Sequence, residues 1–209
     1  RKISVQTAKQ IVNSLGDPLN HFNLGHTLPE SSIKATNEWF KQSHAILDSY
    51  IKVKKPLTVG IFAKESVAEI NDIIEETGID LVQLSGEYHI EDAQEINRQT
   101  LFSLGINGLD AENYKSKIRA GFALSVIFDS ISSDSLGGTG KTFNWNEIKD
   151  ISIHMPFILA GGLNVDNVEL AMKNCNPWGL DISTGVEKDG VKDFGLINEL
   201  VSRVRDFDG

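Results

Sequence analysis

Apolar residues along this chain fall into two kinds of run. Short uninterrupted ones are Thr58 to Ala63 (TVGIFA), Asp80 to Leu84 (DLVQL), Leu101 to Ile106 (LFSLGI), Ala123 to Phe128 (ALSVIF), Phe157 to Ala160 (FILA) and Trp178 to Ile182 (WGLDI). They do not alternate with polar residues, as expected of strands buried on both faces of a parallel sheet. Between them lie amphipathic stretches with helical spacing. Ser66 to Thr77 puts Val67, Ile70, Ile73 and Ile74 on one face, and Glu91 to Arg98, Ala111 to Arg119, Val165 to Asn174 and Asp193 to Val204 do likewise. Gly78 stands where a helix C-cap favours glycine, and Asn164 to Asp166 offers N-capping residues. Strand and helix in alternation predict βαβ units with right-handed crossovers.

Ser14 to Lys55 breaks this rhythm. Its first half is polar and turn-rich, and Glu38 to Val53 (EWFKQSHAILDSYIKV) then reads as an amphipathic helix. The pattern predicts an insertion at residues 14–55, between a helix and a strand, on the surface of a single α/β domain covering residues 1–209. The pattern counts six strands and at least six helices. A (βα)8 barrel needs two strands more, whereas an open doubly wound sheet is complete with five or six, so periodicity leaves both open.

Composition narrows the function classes. Over 209 residues the formal net charge is -9, with no basic run, which argues against nucleic acid as a partner. No apolar run approaches the roughly 20 residues of a membrane helix. The one cysteine, Cys175, permits no internal disulfide, so the cytoplasm is the expected location. The five histidines are scattered, without metal-ligand spacing, and no metal or cofactor is expected.

The stretch Ser133 to Trp145 (SDSLGGTGKTFNW) contains Gly-Lys-Thr but is not a nucleotide-binding P-loop. Counting back from Gly140-Lys141-Thr142, the first glycine of that motif falls on Ser135, and Phe143-Asn144-Trp145 follows where a helix should open. From residue types alone the cluster also fits a flexible surface turn.

Three strands share one design, an apolar run followed at once by small or polar residues: Asp129-Ser130 after Phe128, Gly161-Gly162-Leu163-Asn164 after Ala160, and Ser183-Thr184-Gly185 after Ile182. Carboxyl ends of strands form the active face of parallel α/β folds, and tandem glycine-rich loops there suit a phosphate. A tight turn and a helix cap are the plain alternative for the last two, and their occurrence in tandem favours the phosphate. Asp129 is a candidate general acid or base, since a partly desolvated carboxyl titrates nearer neutrality; a capping role is its plain alternative.

Taken in order, VGIFAKES, DLVQLSGE, FDS…GGTGKTFNW, LAGGLNVDNV and GLDISTGVEKDGVKD resemble phosphoribosylanthranilate isomerases, most of all the yeast-type single-function form, from Leu57 to the C-terminus. The resemblance implies a (βα)8 TIM barrel with about six of its eight βα units here, acting in tryptophan biosynthesis. It implies an Amadori rearrangement of N-(5'-phosphoribosyl)anthranilate to 1-(2-carboxyphenylamino)-1-deoxyribulose 5-phosphate without cofactor. By the same resemblance Asp129 is the general acid. Gly161, Gly162, Ser183, Thr184 and Gly185 grip the phosphate. Arg1, Ser85, Gly138 and Asp181 contact substrate, Arg1 by gripping the anthranilate carboxylate and Gly138 from a loop on the cleft rim. A monomer binding a small phosphorylated molecule, with no nucleic acid or membrane partner, is the expected state.

Two departures stand out. The family's base is a cysteine in a Lys-x-Cys-Gly motif ending strand 1, and nothing here matches it. Arg1-Lys2-Ile3-Ser4 matches the end of the family's Ser-x-Arg-x-Ile/Val-Ser, so the chain is expected to begin just past strand 2 as a fragment, and to isomerise poorly as it stands. The family's Leu-His-Gly after strand 4 is Leu84-Ser85-Gly86. The readings weighed against an isomerase are another sugar-phosphate barrel enzyme and a catalytically impaired phosphate-binding barrel.

Overall fold

In the computed structural model of the protein, residues 2–19, 28–30, 32–33, 35–106, 111–130, 148 and 155–208 are described. Six strands form one sheet in the order β1 (Val59–Phe62), β2 (Leu81–Leu84), β3 (Thr100–Ile106), β4 (Ser125–Ser130), β5 (Ile158–Leu159) and β6 (Gly179–Leu180). Strand neighbours in space are therefore neighbours in sequence. A doubly wound sheet reverses its strand order at a switch point, whereas a βα barrel adds each strand beside the last. The order thus decides between the two architectures that periodicity left open, in favour of the barrel. The chain divides into two compact units, Arg1–Ser103 with Lys117–Val126, and Leu104–Ser116 with Ile127–Gly209.

In the first unit, α1 (Val5–Ser14) opens with the Ser4 hydroxyl accepting from the Thr7 amide at 3.1 Å. Helix α3 (Val67–Thr77) carries a full capping box between Ser66 and Glu69 and ends on Gly78 in the left-handed region, as its sequence predicts. β1 and β2 pair in parallel with Val59 opposite Leu81, and β2 and β3 with Val82 opposite Thr100.

Helix α2 (Thr36–Val53) is amphipathic as its spacing predicts: one face is exposed, and the other buries Trp39, Phe40, Leu47 and Tyr50 in the core, with the Trp39 indole donating to the Ala123 carbonyl at 3.1 Å. One expectation needs correction here. Glu91 to Arg98 is not an α-helix but a 3₁₀ segment, Ile90–Glu95. Asn71 of α3 holds its end, donating to the Glu95 carbonyl and accepting from the Asn97 amide, both at 2.8 Å, and this side chain competes successfully with another helical turn.

A buried ion pair anchors the start of β2. Lys54 Nζ lies 2.8 Å from Asp80 Oδ2, with both side chains almost fully enclosed. Asp80 also accepts from the Leu19 amide at 2.7 Å and from the Thr58 amide and hydroxyl at 2.7 and 2.8 Å. Burial by itself would raise this carboxyl. The Lys54 ammonium and the Thr58 and Leu19 donors outweigh it and hold the group below its ordinary value.

The second unit contains α4 (Ala111–Lys115), β5, α5 (Val168–Cys175), β6, a hairpin of β7 (Glu187–Lys188) and β8 (Val191–Lys192), and α6 (Phe194–Asp208). Helix α5 starts later than its capping signal suggests. Asn164 and Asn167 first close a turn on each other, the Asn164 amide donating to Asn167 Oδ1 and the Asp166 amide to Asn164 Oδ1, both at 2.9 Å.

Lys54→Met should lower unfolding free energy by about 3–5 kcal/mol in urea denaturation, because it leaves a buried carboxylate unpaired. The Asp80 carboxyl is depressed in the folded state, so its contribution is present above the unfolded pKa of about 4 and is lost as pH falls through the folded value. Denaturation midpoints measured between pH 7 and pH 3 should therefore fall more steeply for the native protein than for Asp80→Asn.

Candidate active site

Parallel register sets the level of every residue at the carboxyl edge of β4, β5 and β6. Phe128 pairs with Leu159, and Leu159 with Leu180. One step further, the Ala160 amide donates to the Phe128 carbonyl and the Asp181 amide to the Leu159 carbonyl, each at 2.8 Å. Asp129, Ala160 and Asp181 thus stand on one level. In a pleated sheet residues at equal register share a face, so the two carboxylates flank Ala160 on the same side, their backbones about 10 Å apart. The opposite face holds the aromatic packing that fixes β4: the Phe128 and Phe157 rings lie 5.1 Å apart, and both residues are buried. Asp129 itself is half-buried.

The loops beyond β5 and β6 are locked together. Gly161 and Gly162 have φ of 88° and 66°, the left-handed region that glycine enters without penalty. After β6, Thr184–Val186 forms a single 3₁₀ turn. In it Gly185 meets the carbonyl of Leu163 so closely that no Cβ would fit between them. The two tandem glycine-rich loops therefore touch through backbone. Asn167 closes the arrangement from behind, donating to the Gly162 carbonyl at 3.0 Å.

Asp181 is exposed by surface area, yet protein atoms crowd around the strand end and displace water from its carboxyl. This raises its pKa, and the positive charge of Lys192 opposes the rise. Lys192 Nζ donates to the Ser183 carbonyl at 2.6 Å and pairs with Glu187 at 2.9 Å.

The family model for N-(5'phosphoribosyl)anthranilate (PRA) isomerase matches residues 2–203. The chain belongs to the PRA isomerase family. Among similar curated proteins, the N-(5'-phosphoribosyl)anthranilate isomerase of Wickerhamomyces anomalus is 35% identical over 204 residues, covering 96% of this chain and 83% of that protein. The Dehalococcoides mccartyi isomerase is 35% identical over 161 residues, 74% of each chain. Among solved structures, the phosphoribosyl anthranilate isomerase of Thermotoga maritima superposes with a TM-score of 0.61 at 25% identity, covering 80% of both chains. A PRA isomerase in complex with reduced 1-(o-carboxyphenylamino)-1-deoxyribulose 5-phosphate shares the fold, with a TM-score of 0.57 at 22% identity over 80% of this chain and 79% of that one.

Of the residues the sequence points to, Asp129, Gly161, Gly162, Asp181, Ser183, Thr184 and Gly185 all occupy the carboxyl edge of the second unit. Ser85 follows directly after β2 in the first unit, its amide donating to the Phe62 carbonyl at 2.8 Å and its hydroxyl accepting from Gln83 Nε2 at 3.1 Å. Arg1 and Gly138 lie outside the described residues. Cys175 ends α5, ahead of β6, and is buried. Among the described residues no three His, Cys, Asp or Glu side chains gather as a metal site, and no helix is long and apolar enough to cross a membrane. Sequence reasoning missed Lys192. The turn pair Asp189-Gly190, which favours a two-residue hairpin, is the local signal that places this lysine opposite Glu187.

Gly185→Ala should force the two loops apart. Overpacking of this kind costs about 1–3 kcal/mol, readable as a lower thermal midpoint, and binding of a phosphorylated ligand should weaken with it.

Proposed function

We propose that the second unit's carboxyl edge is where this chain isomerises N-(5'-phosphoribosyl)anthranilate, the Amadori rearrangement of tryptophan biosynthesis, with Asp129 as general acid. The single observation that carries the reading is the shared level of Asp129 and Asp181 beside two interlocked glycine-rich loops.

The chemistry asks for three things. The substrate's 5'-phosphate must be held. Amides of the Gly161-Gly162 and Ser183-Thr184-Gly185 loops do this by donating N–H hydrogen bonds to its oxygens, which supplies local positive potential in a chain of net charge -9. The furanose ring must then open. Asp129 donates a proton to the ring oxygen, the C1–O bond breaks, and the electron pair on the anthranilate nitrogen forms a C1=N iminium while the former ring oxygen becomes the C4 hydroxyl. Half-burial suits that step, because it keeps the carboxyl at the strand end while leaving one side of it open to a ligand. Last, a base removes the C2 proton, giving an enolamine that tautomerises to the 2-keto product. No atom is gained or lost and no redox equivalent is needed.

The base is not Cys175, which is buried ahead of β6 and so belongs to the amino end of the sheet. Asp181 shares the acid's level two strands away and has a raised carboxyl, which suits a hydrogen bond with a substrate hydroxyl. Ser85, on β2, keeps its hydroxyl proton for a ligand because Gln83 is the donor in their bond.

In the protein expressed from its complete gene, Asp129→Asn should lower kcat by about a hundred- to ten-thousand-fold. Affinity for reduced 1-(o-carboxyphenylamino)-1-deoxyribulose 5-phosphate should stay within a few-fold, because the phosphate grip is untouched. Steady-state kinetics and calorimetry read the two numbers; undiminished turnover would remove Asp129 from the mechanism.

A further inference from the structure

Lys192 has no place in the three chemical tasks above, yet it is built into the loop that carries one of them. The Asp189-Gly190 turn has positive φ at both positions, 50° and 75°, the geometry that pairs strands tightly in a two-residue hairpin. The register that follows sets Lys192 directly across from Glu187. Their 2.9 Å ion pair fixes the ammonium, and the hydrogen bond of 2.6 Å to the Ser183 carbonyl uses a second of its three donors. Glu187 is the more enclosed partner, with a side chain 11% exposed against 50% for Lys192, so the carboxylate is the anchor and the lysine the reaching arm.

The carbonyl that Lys192 grips is informative. Ser183 has φ -107° and ψ -94°, outside the strand and helix regions, and the 3₁₀ turn that follows supplies only a long bond, 3.5 Å from the Val186 amide, to the same oxygen. The ammonium is therefore the strong restraint on this peptide plane. Because the peptide is trans and planar, the Thr184 N–H points opposite to the Ser183 C=O. A lysine that holds the carbonyl toward the hairpin holds the next amide away from it.

We propose that Lys192 is a positioning residue for the phosphate loop: by fixing the Ser183 carbonyl it aims the Thr184 amide at the substrate's phosphate. The lysine does not itself bind the anion, since its charge is already matched by Glu187. This inference rests on the reading that the Ser183–Gly185 loop receives the phosphate.

The test compares two ligands by calorimetry on the protein from its complete gene: reduced 1-(o-carboxyphenylamino)-1-deoxyribulose 5-phosphate and the same compound without its phosphate. The native protein should prefer the phosphorylated ligand. Lys192→Met should weaken that ligand about tenfold or more, the scale of a lost charge-assisted hydrogen bond, and leave the dephosphorylated one within about twofold. Lys192→Arg, whose guanidinium can donate to both the carbonyl and Glu187, should restore most of the preference. If Lys192→Met lowers the thermal midpoint too far for binding to be read, Lys192→Gln, a shorter donor, carries the same comparison. A variant that keeps the full preference, or one that weakens both ligands alike, overturns the positioning role. A native protein with no preference for the phosphate overturns the phosphate-loop reading itself.

Discussion

The parallel register of β4, β5 and β6 is the constraint on which the candidate site depends. Hydrogen bonds from the Ala160 amide to Phe128 and from the Asp181 amide to Leu159 leave no freedom in where Asp129 and Asp181 stand relative to each other. A slip of one residue in either pairing would turn one carboxylate to the opposite face, among Phe128 and Phe157. The pleat thus converts an arrangement of hydrophobic residues, the buried Phe128, Phe157 and Leu159, into an arrangement of acids on the other side. Chemistry is positioned here by packing that never touches a substrate.

The same economy would govern the anion site proposed above. A protein of net charge -9 that must hold a phosphate dianion cannot rely on its overall field. Backbone amides provide local positive potential without adding cations, but only if peptide planes are oriented and kept close. Glycine at 185 permits the approach to Leu163, glycines at 161 and 162 permit the reversed turn, and the hairpin carrying Lys192 holds the second loop from outside. The acid pushed up by burial, Asp181, sits beside this lysine, which limits the rise. The loop's restraint and the acid's charge state are thus coupled through one ammonium.

Much of this was legible in sequence, for identifiable reasons. Continuous apolar runs located the six strands of the parallel sheet: β2 is buried throughout, as burial on both faces requires, whereas β1 keeps Val59 and Ile61 exposed, and the loops after three of these strands pointed by composition to the proposed site. Periodicity failed where a distant side chain intervened: Glu91 to Arg98 has helical spacing, but Asn71 ends its helical turns at Glu95. It succeeded for α2, whose apolar spacing picked out the face that buries Trp39, Phe40, Leu47 and Tyr50. Lys192 was hidden for a simpler reason. Its partner is a main-chain carbonyl, and carbonyls leave no mark on a sequence.

The measurement that bears most directly on the account is a crystal structure of the protein with reduced 1-(o-carboxyphenylamino)-1-deoxyribulose 5-phosphate bound. The account predicts the phosphate within hydrogen-bond distance of amides from both the Gly161-Gly162 and the Ser183–Gly185 loops. It predicts the Asp129 carboxyl about 3 Å from the ligand's C4 hydroxyl, the oxygen that closes the furanose ring in the substrate. A ligand seated away from these loops, or one whose C4 hydroxyl faces a residue other than Asp129, would contradict it.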